Sequence, residues 1–147
     1  MCPKLLCIRI GSDTFILLNH AIMKTTVVIG GNFAGMTAAL EIKRKGKKGH
    51  KVLVIDKSPL FLFVPSLIWV PFGRKEIKDI SFRKDTVLEK KGVDFVQAEA
   101  LNVDPDSQIV HTTKGDFTYD HLVIATGPKV KYDVAPGVQE HAHYIGT

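Results

Sequence analysis

The chain has 147 residues, 45% of them apolar, and 20 Lys and Arg against 15 Asp and Glu, giving a formal charge of +5 and an isoelectric point near 9.2. That is one domain or a piece of a larger protein, apolar enough for a real core. No apolar run reaches the ~18 residues of a membrane span. The longest, residues 60–72, carries two prolines. The two cysteines, Cys2 and Cys7, show neither metal-ligand spacing nor a disulfide framework, a usage that suits the cytoplasm.

Residues 1–22 do not share the pattern of the rest of the chain. They hold two short apolar pieces, at 5–10 and 15–18, around Gly11, Ser12 and Asp13, with no single apolar core and no clear cleavage site for a secretory signal. The expectation is that Met23 is the natural start and that 1–22 is upstream sequence read as protein. The alternative is a small extra hairpin.

From residue 25 the pattern is regular. Val27, Val28 and Ile29 are β-branched and apolar, as in a buried parallel strand. Gly30 turns the chain, and a helix is predicted over 33–45, with Gly35 letting it lie close on the strand. Strand, glycine turn and helix N-terminus together point free N–H groups and the helix dipole at one spot, which suits a pyrophosphate. Gly30 to Gly35 thus reads as a dinucleotide-binding turn: Gly30, Gly31, Asn32, Phe33, Ala34, Gly35. The fingerprint G-x-G-x-x-G places its glycines at 30, 32 and 35, and residue 32 is Asn. Asn tolerates unusual backbone angles, and its amide can donate to a phosphate.

Lys43, Arg44, Lys45, Lys47, Lys48 and Lys51 cluster where this helix ends and carry most of the basic excess. They complement a helix C-terminus. No aromatic residues interleave with them, which argues against a nucleic-acid partner. A second strand covers 51–56 and ends in Asp56, which lies 26 residues after Gly30. A carboxylate there accepts hydrogen bonds from an adenosine ribose. Residues 59–73 are apolar, aromatic and broken by proline, so no regular helix is expected, and they suit core filling, a ring pocket wall or a substrate channel. Ile77 and Ile80 are expected to pack inward. A second helix is predicted over 82–91, ended by Gly92, and a third strand over 93–98. Short strands then alternate with turn residues from 102 to 119, an antiparallel meander in place of a crossover helix. Residues 121–125 form a buried strand that runs into Ala125, Thr126, Gly127 and Pro128, a small-residue turn where backbone can approach a ligand. The histidines and Asp104, Asp106, Asp116 and Asp120 get no chemical role, and no metal site is assigned.

The glycine turn, Asp56, and the meander followed by Tyr119 to Gly127 resemble the N-terminal half of the FAD domain in flavoproteins with two dinucleotide-binding domains. Phe61, Leu62, Phe63, Val64, Pro65, Ser66, Trp69 and Gly73, with Lys90 to Phe95, narrow this to a resemblance to the sulfide:quinone oxidoreductases, within the pyridine nucleotide-disulfide oxidoreductase superfamily, over roughly residues 24–147. The fold implied is α/β, a Rossmann-like FAD-binding half-domain with a parallel sheet, helices and a small antiparallel β-meander. It divides the chain into a 1–22 extension and a partial FAD-binding domain at 23–147.

The resemblance implies that FAD is bound by the 30–35 turn, by Asp56 and Lys57, by Val64 and Pro65 against the isoalloxazine ring, by the end of the third strand at Ala98 and Ala100, and by Ala125, Thr126 and Gly127. It also implies a reaction in which sulfide is oxidised at redox-active cysteines and electrons pass through FAD to quinone. The family's second dinucleotide domain and membrane-binding region lie beyond this chain, which is expected to be a fragment and inactive alone. No cysteine falls in the similar region, and Gly146 stands where some members carry one, so no catalytic residue is assigned. A cytoplasmic location is implied, with peripheral association on the inner face of the membrane through regions absent here. The alternatives are a type II NADH:quinone oxidoreductase-like flavoprotein, or an inactive truncated nucleotide-binding remnant.

Overall fold

The computed structural model describes residues 7–10, 14–17, 23–46, 49–129 and 136–141. In chain order, β1 (Cys7–Ile10) and β2 (Thr14–Leu17) pair antiparallel, so this part of the N-terminal stretch takes the hairpin form. Then come β3 (Thr25–Ile29), α1 (Phe33–Lys45), β4 (Lys51–Asp56) and β5 (Leu60–Leu62). A 3-10 helix over Val64–Trp69 and another over Ile77–Ile80 lead to β6 (Ser81–Arg83), α2 (Lys84–Lys90) and β7 (Asp94–Gln97). The chain continues through β8 (Ala100–Asp104), β9 (Ile109–Thr112), β10 (Gly115–Thr118), β11 (His121–Ile124) and the short α3 (Val138–His141).

Four strands run parallel in the order β11-β3-β4-β7. Their apolar residues point alternately to two faces, and each face has its own cover. On one, Val28, Val52 and Val54 pack against Met36 and Ala39 of α1, Leu88 of α2, and Phe61. On the other, Val27, Ile29, Leu53 and Ile55 pack against the β8–β10 meander through Val110, Val103 and Phe117. The result is three layers: helices, parallel sheet, antiparallel meander. Burial on both faces is why β3 and β4 read as continuous apolar runs. The last turn of α1 carries Lys43, Arg44 and Lys45, where cations meet the negative end of the helix dipole. Lys47 and Lys48 lie outside the described residues.

Three local expectations change. The second helix starts at Lys84, because Phe82 pairs with Phe61 across β5 and β6 and stacks on its ring at 4.7 Å. Tertiary pairing there overrides local helix preference. Ile80 is buried but Ile77 is exposed. And β11, expected to be buried, is paired only with β3 among the described strands, leaving Ile124 65% exposed.

Candidate functional site

The C-terminal tips of the parallel strands are tied to one another by backbone hydrogen bonds. Ala125 N donates to Ile29 O at 2.8 Å, Gly30 N to Ile55 O at 2.8 Å, and Ala98 N to Asp56 O at 3.0 Å. These bonds hold the tips of β11, β3, β4 and β7 at one edge, where ligands bind in open α/β sheets. A cleft of about 260 Å³ opens there, lined by Ile29, Gly30, Ile55, Asp56, Lys57, Ala98, Glu99, Ala100 and Thr126.

The glycine turn leaves no room for side chains at its base. Gly30 has φ +94°, and a Cβ on it would lie 2.3 Å from the carbonyl oxygen of Ala125. A Cβ on Gly35 would lie 1.7 Å from the carbonyl oxygen of Gly30. Backbone therefore packs directly on backbone where α1 meets β3 and β11. Asn32, at the irregular middle position of the fingerprint, has φ −88°, so its Cβ is accommodated without strain. It is the N-cap residue of α1, yet its side chain makes no capping bond, and the first turn of the helix holds no acid. The first N–H groups of a helix lack intrahelical acceptors. The positive end of α1 is therefore uncompensated by its own side chains and fits a diphosphate.

Asp56 is the other pole. Its Oδ2 accepts from Gly31 N at 2.5 Å and from Lys84 Nζ at 2.8 Å, and its Oδ1 accepts from Ser58 N at 2.9 Å. Burial works to raise the Asp56 pKa, but the Lys84 ammonium and the Ser58 and Gly31 N–H groups outweigh it and hold the carboxyl below its ordinary range. Lys84 is the residue that sequence reasoning missed. It follows exposed Arg83 and precedes Asp85 in a charged stretch, yet it is only 1% exposed, and nothing in its local pattern marks it for burial. Gly31 also proves to have a more specific part than a general place in the turn. Its amide goes to the acid, and a Cβ on it would lie 3.1 Å from Lys84 Cδ and 3.2 Å from Asp56 Oδ2.

Of the expected site residues, Gly30, Asp56, Lys57, Ala98, Ala100 and Thr126 converge on the cleft. Asn32, Phe33 and Ala34 are exposed at the start of α1, outside this lining, and Gly35 and Ala125 form the packed base of the turn. Gly127, at φ +75°, has open space around it. Val64 and Pro65 are exposed outside this lining, in the segment whose Phe63 ring lies 5.7 Å from that of Phe33. Glu99, between the expected Ala98 and Ala100, and Ile29 and Ile55, which the sequence marks only as strand residues, also line the cleft.

Sheet order, glycine turn and strand-tip cleft are those of the Rossmann-like class. More narrowly, the chain belongs to the pyridine nucleotide-disulphide oxidoreductase family, whose model matches residues 24–147. It is 35% identical over 125 residues to the sulfide-quinone reductase of Aquifex aeolicus, covering 84% of this chain and 29% of that protein. It is 27% identical over 123 residues to the type II NADH:quinone oxidoreductase of Staphylococcus aureus, covering 83% of this chain and 31% of that protein. The crystal structure of the Aquifex aeolicus sulfide:quinone oxidoreductase superposes with a TM-score of 0.79 at 34% identity, over 84% of this chain and 29% of that one. The chain thus spans under a third of the length of these relatives.

Proposed function

We propose that the chain is the FAD-binding N-terminal part of a sulfide:quinone oxidoreductase-like flavoprotein, in which electrons pass from sulfide through FAD to quinone. The observation that carries the FAD assignment is the cradle at the β3–α1 turn, where Gly30 and Gly35 exclude any Cβ and Asp56 lines the adjoining cleft. The sulfide and quinone part is supported by the similarity to the Aquifex aeolicus protein. In this reading the N–H groups opening α1 hold the pyrophosphate, with the Asn32 amide beside them. Asp56 receives the adenosine ribose, and Lys57, Ala98 and Ala100 flank it. The backbone of Ala125, Thr126 and Gly127 passes close to the nucleotide, and Val64 and Pro65 supply one wall for the ring system. Bound there, FAD supplies the capacity to take up and release electrons. The chain's own contribution is binding, orientation and the field of the α1 N-terminus. The setting proposed is cytoplasmic, with peripheral membrane association through regions outside this chain.

A second reading, an NADH:quinone oxidoreductase-like flavoprotein, is supported by the similarity to the Staphylococcus aureus protein. The sequence encoded downstream of Thr147 separates the two: further cysteines support sulfide, and a second glycine fingerprint with a nicotinamide pocket supports NADH. The visible spectrum of the purified chain tests the FAD assignment itself. Near-stoichiometric flavin bands, present as isolated or after adding FAD, support it. A colourless chain that takes up no FAD supports the inactive-remnant reading instead.

A further inference from the structure

Lys84 is the largest of the fully buried side chains among the described residues. Its backbone is pinned, since Lys84 N donates to Pro59 O at 2.8 Å directly after the β5–β6 pair. Its stem fills the space beside Gly31, and its ammonium ends on Asp56 Oδ2. Lys84 does not line the cleft, whereas Asp56 does. The ammonium therefore approaches the carboxylate from the protein side.

A carboxylate offers about four acceptor positions, two per oxygen. On Oδ2 both are taken, by Gly31 N–H and Lys84 Nζ, and on Oδ1 one is taken, by Ser58 N–H. One acceptor position on Oδ1 remains among the described contacts. Without Lys84 a second would open on Oδ2, and the carboxylate, whose terminal torsion is intrinsically broad, would lose one of three tethers. We propose that Lys84 is a positioning residue of the adenosine subsite: by occupying Oδ2 from within, it makes Asp56 hold a nucleotide through one ribose hydroxyl and not two. This rests on the reading of the cleft as a dinucleotide site.

The test is calorimetric titration of the chain with ADP, 2′-deoxy-ADP and 3′-deoxy-ADP. Only one of the two deoxy analogues should bind weaker than ADP, by about tenfold, as expected for losing one hydrogen bond to a charged acceptor. In Lys84→Met, which keeps the stem and removes the charge, that one-sided preference should shrink to less than about threefold. A purely structural lysine would lower stability and leave the preference between analogues unchanged, which would overturn the proposal. So would equal weakening by both deoxy analogues, or by neither, on the unmodified chain. That comparison decides the matter if Lys84→Met does not fold. If the unmodified chain binds neither ADP nor FAD, the dinucleotide reading fails first and takes this inference with it.

Discussion

A Cβ on Gly35 would sit 1.7 Å from the carbonyl oxygen of Gly30 and 3.3 Å from the Cβ of Ala125. Helix α1 therefore lies on β3 and the β11 tip at backbone contact distance, and it begins three residues after Gly30, which lines the cleft. Gly35→Ala should force the helix off the sheet and lower unfolding free energy in urea by about 3 kcal/mol or more. Gly127→Ala is the control: with open space around it at φ +75°, it should lose only the left-handed backbone penalty, about 1–2 kcal/mol. Equal losses in the two variants would contradict this account of the turn.

The Lys84–Asp56 pair is asymmetric. The Lys84 side chain is 2% exposed and that of Asp56 14%. Removing the lysine leaves a carboxylate that can still turn toward the cleft; removing the carboxylate takes the only ion-pair partner among the described residues from a buried ammonium. Asp56→Ala should therefore destabilise more than Lys84→Met, by about 3 kcal/mol against about 1–2 kcal/mol. The double variant should lose less than the sum of the two. Equilibrium denaturation of the three proteins checks the order.

The same carboxylate sets a pH dependence. Its folded pKa lies below the ordinary value of 3.8, so its contribution is complete above that value and disappears as pH falls through the lower folded one. The stability difference between the parent chain and Asp56→Ala should be flat above about pH 5 and shrink steadily below about pH 4. A difference that grows on acidification would show that Asp56 is not held as an anion.

Much of this was legible in the residues. The tips of β3 and β4, the 33–45 helix and the meander were readable because each has a distinct period or glycine signal. Asp56 was found by its place at the end of a strand. Lys84 was not, because burial of a lysine depends on a partner 28 positions away and leaves no trace in local pattern. For the same reason the helix predicted over 82–91 begins only at Lys84: the strand form of Phe82 and Arg83 comes from Phe82 pairing with and stacking on Phe61, a tertiary contact. The exposure of Ile124 was hidden because an edge strand and a central one share the same β-branched composition.

Phe61 anchors that aromatic group. It is buried, with Phe33 packed edge-on at 4.9 Å and Phe82 stacked at 4.7 Å. Phe61→Ala should lose about 3–4 kcal/mol of stability, while Phe63→Ala, on an exposed ring, should lose less than about 1 kcal/mol. Thermal unfolding of both variants distinguishes them.

The most direct measurement is the pattern of backbone amide NMR shifts as FAD is added to the isotopically labelled chain. The account predicts the largest changes at Gly30 to Gly35, at Asp56 and Lys57, and at Ala98, Ala100 and Thr126. No change at these amides, or changes confined to the lysine-rich end of α1 at Lys43 to Lys45, would contradict it.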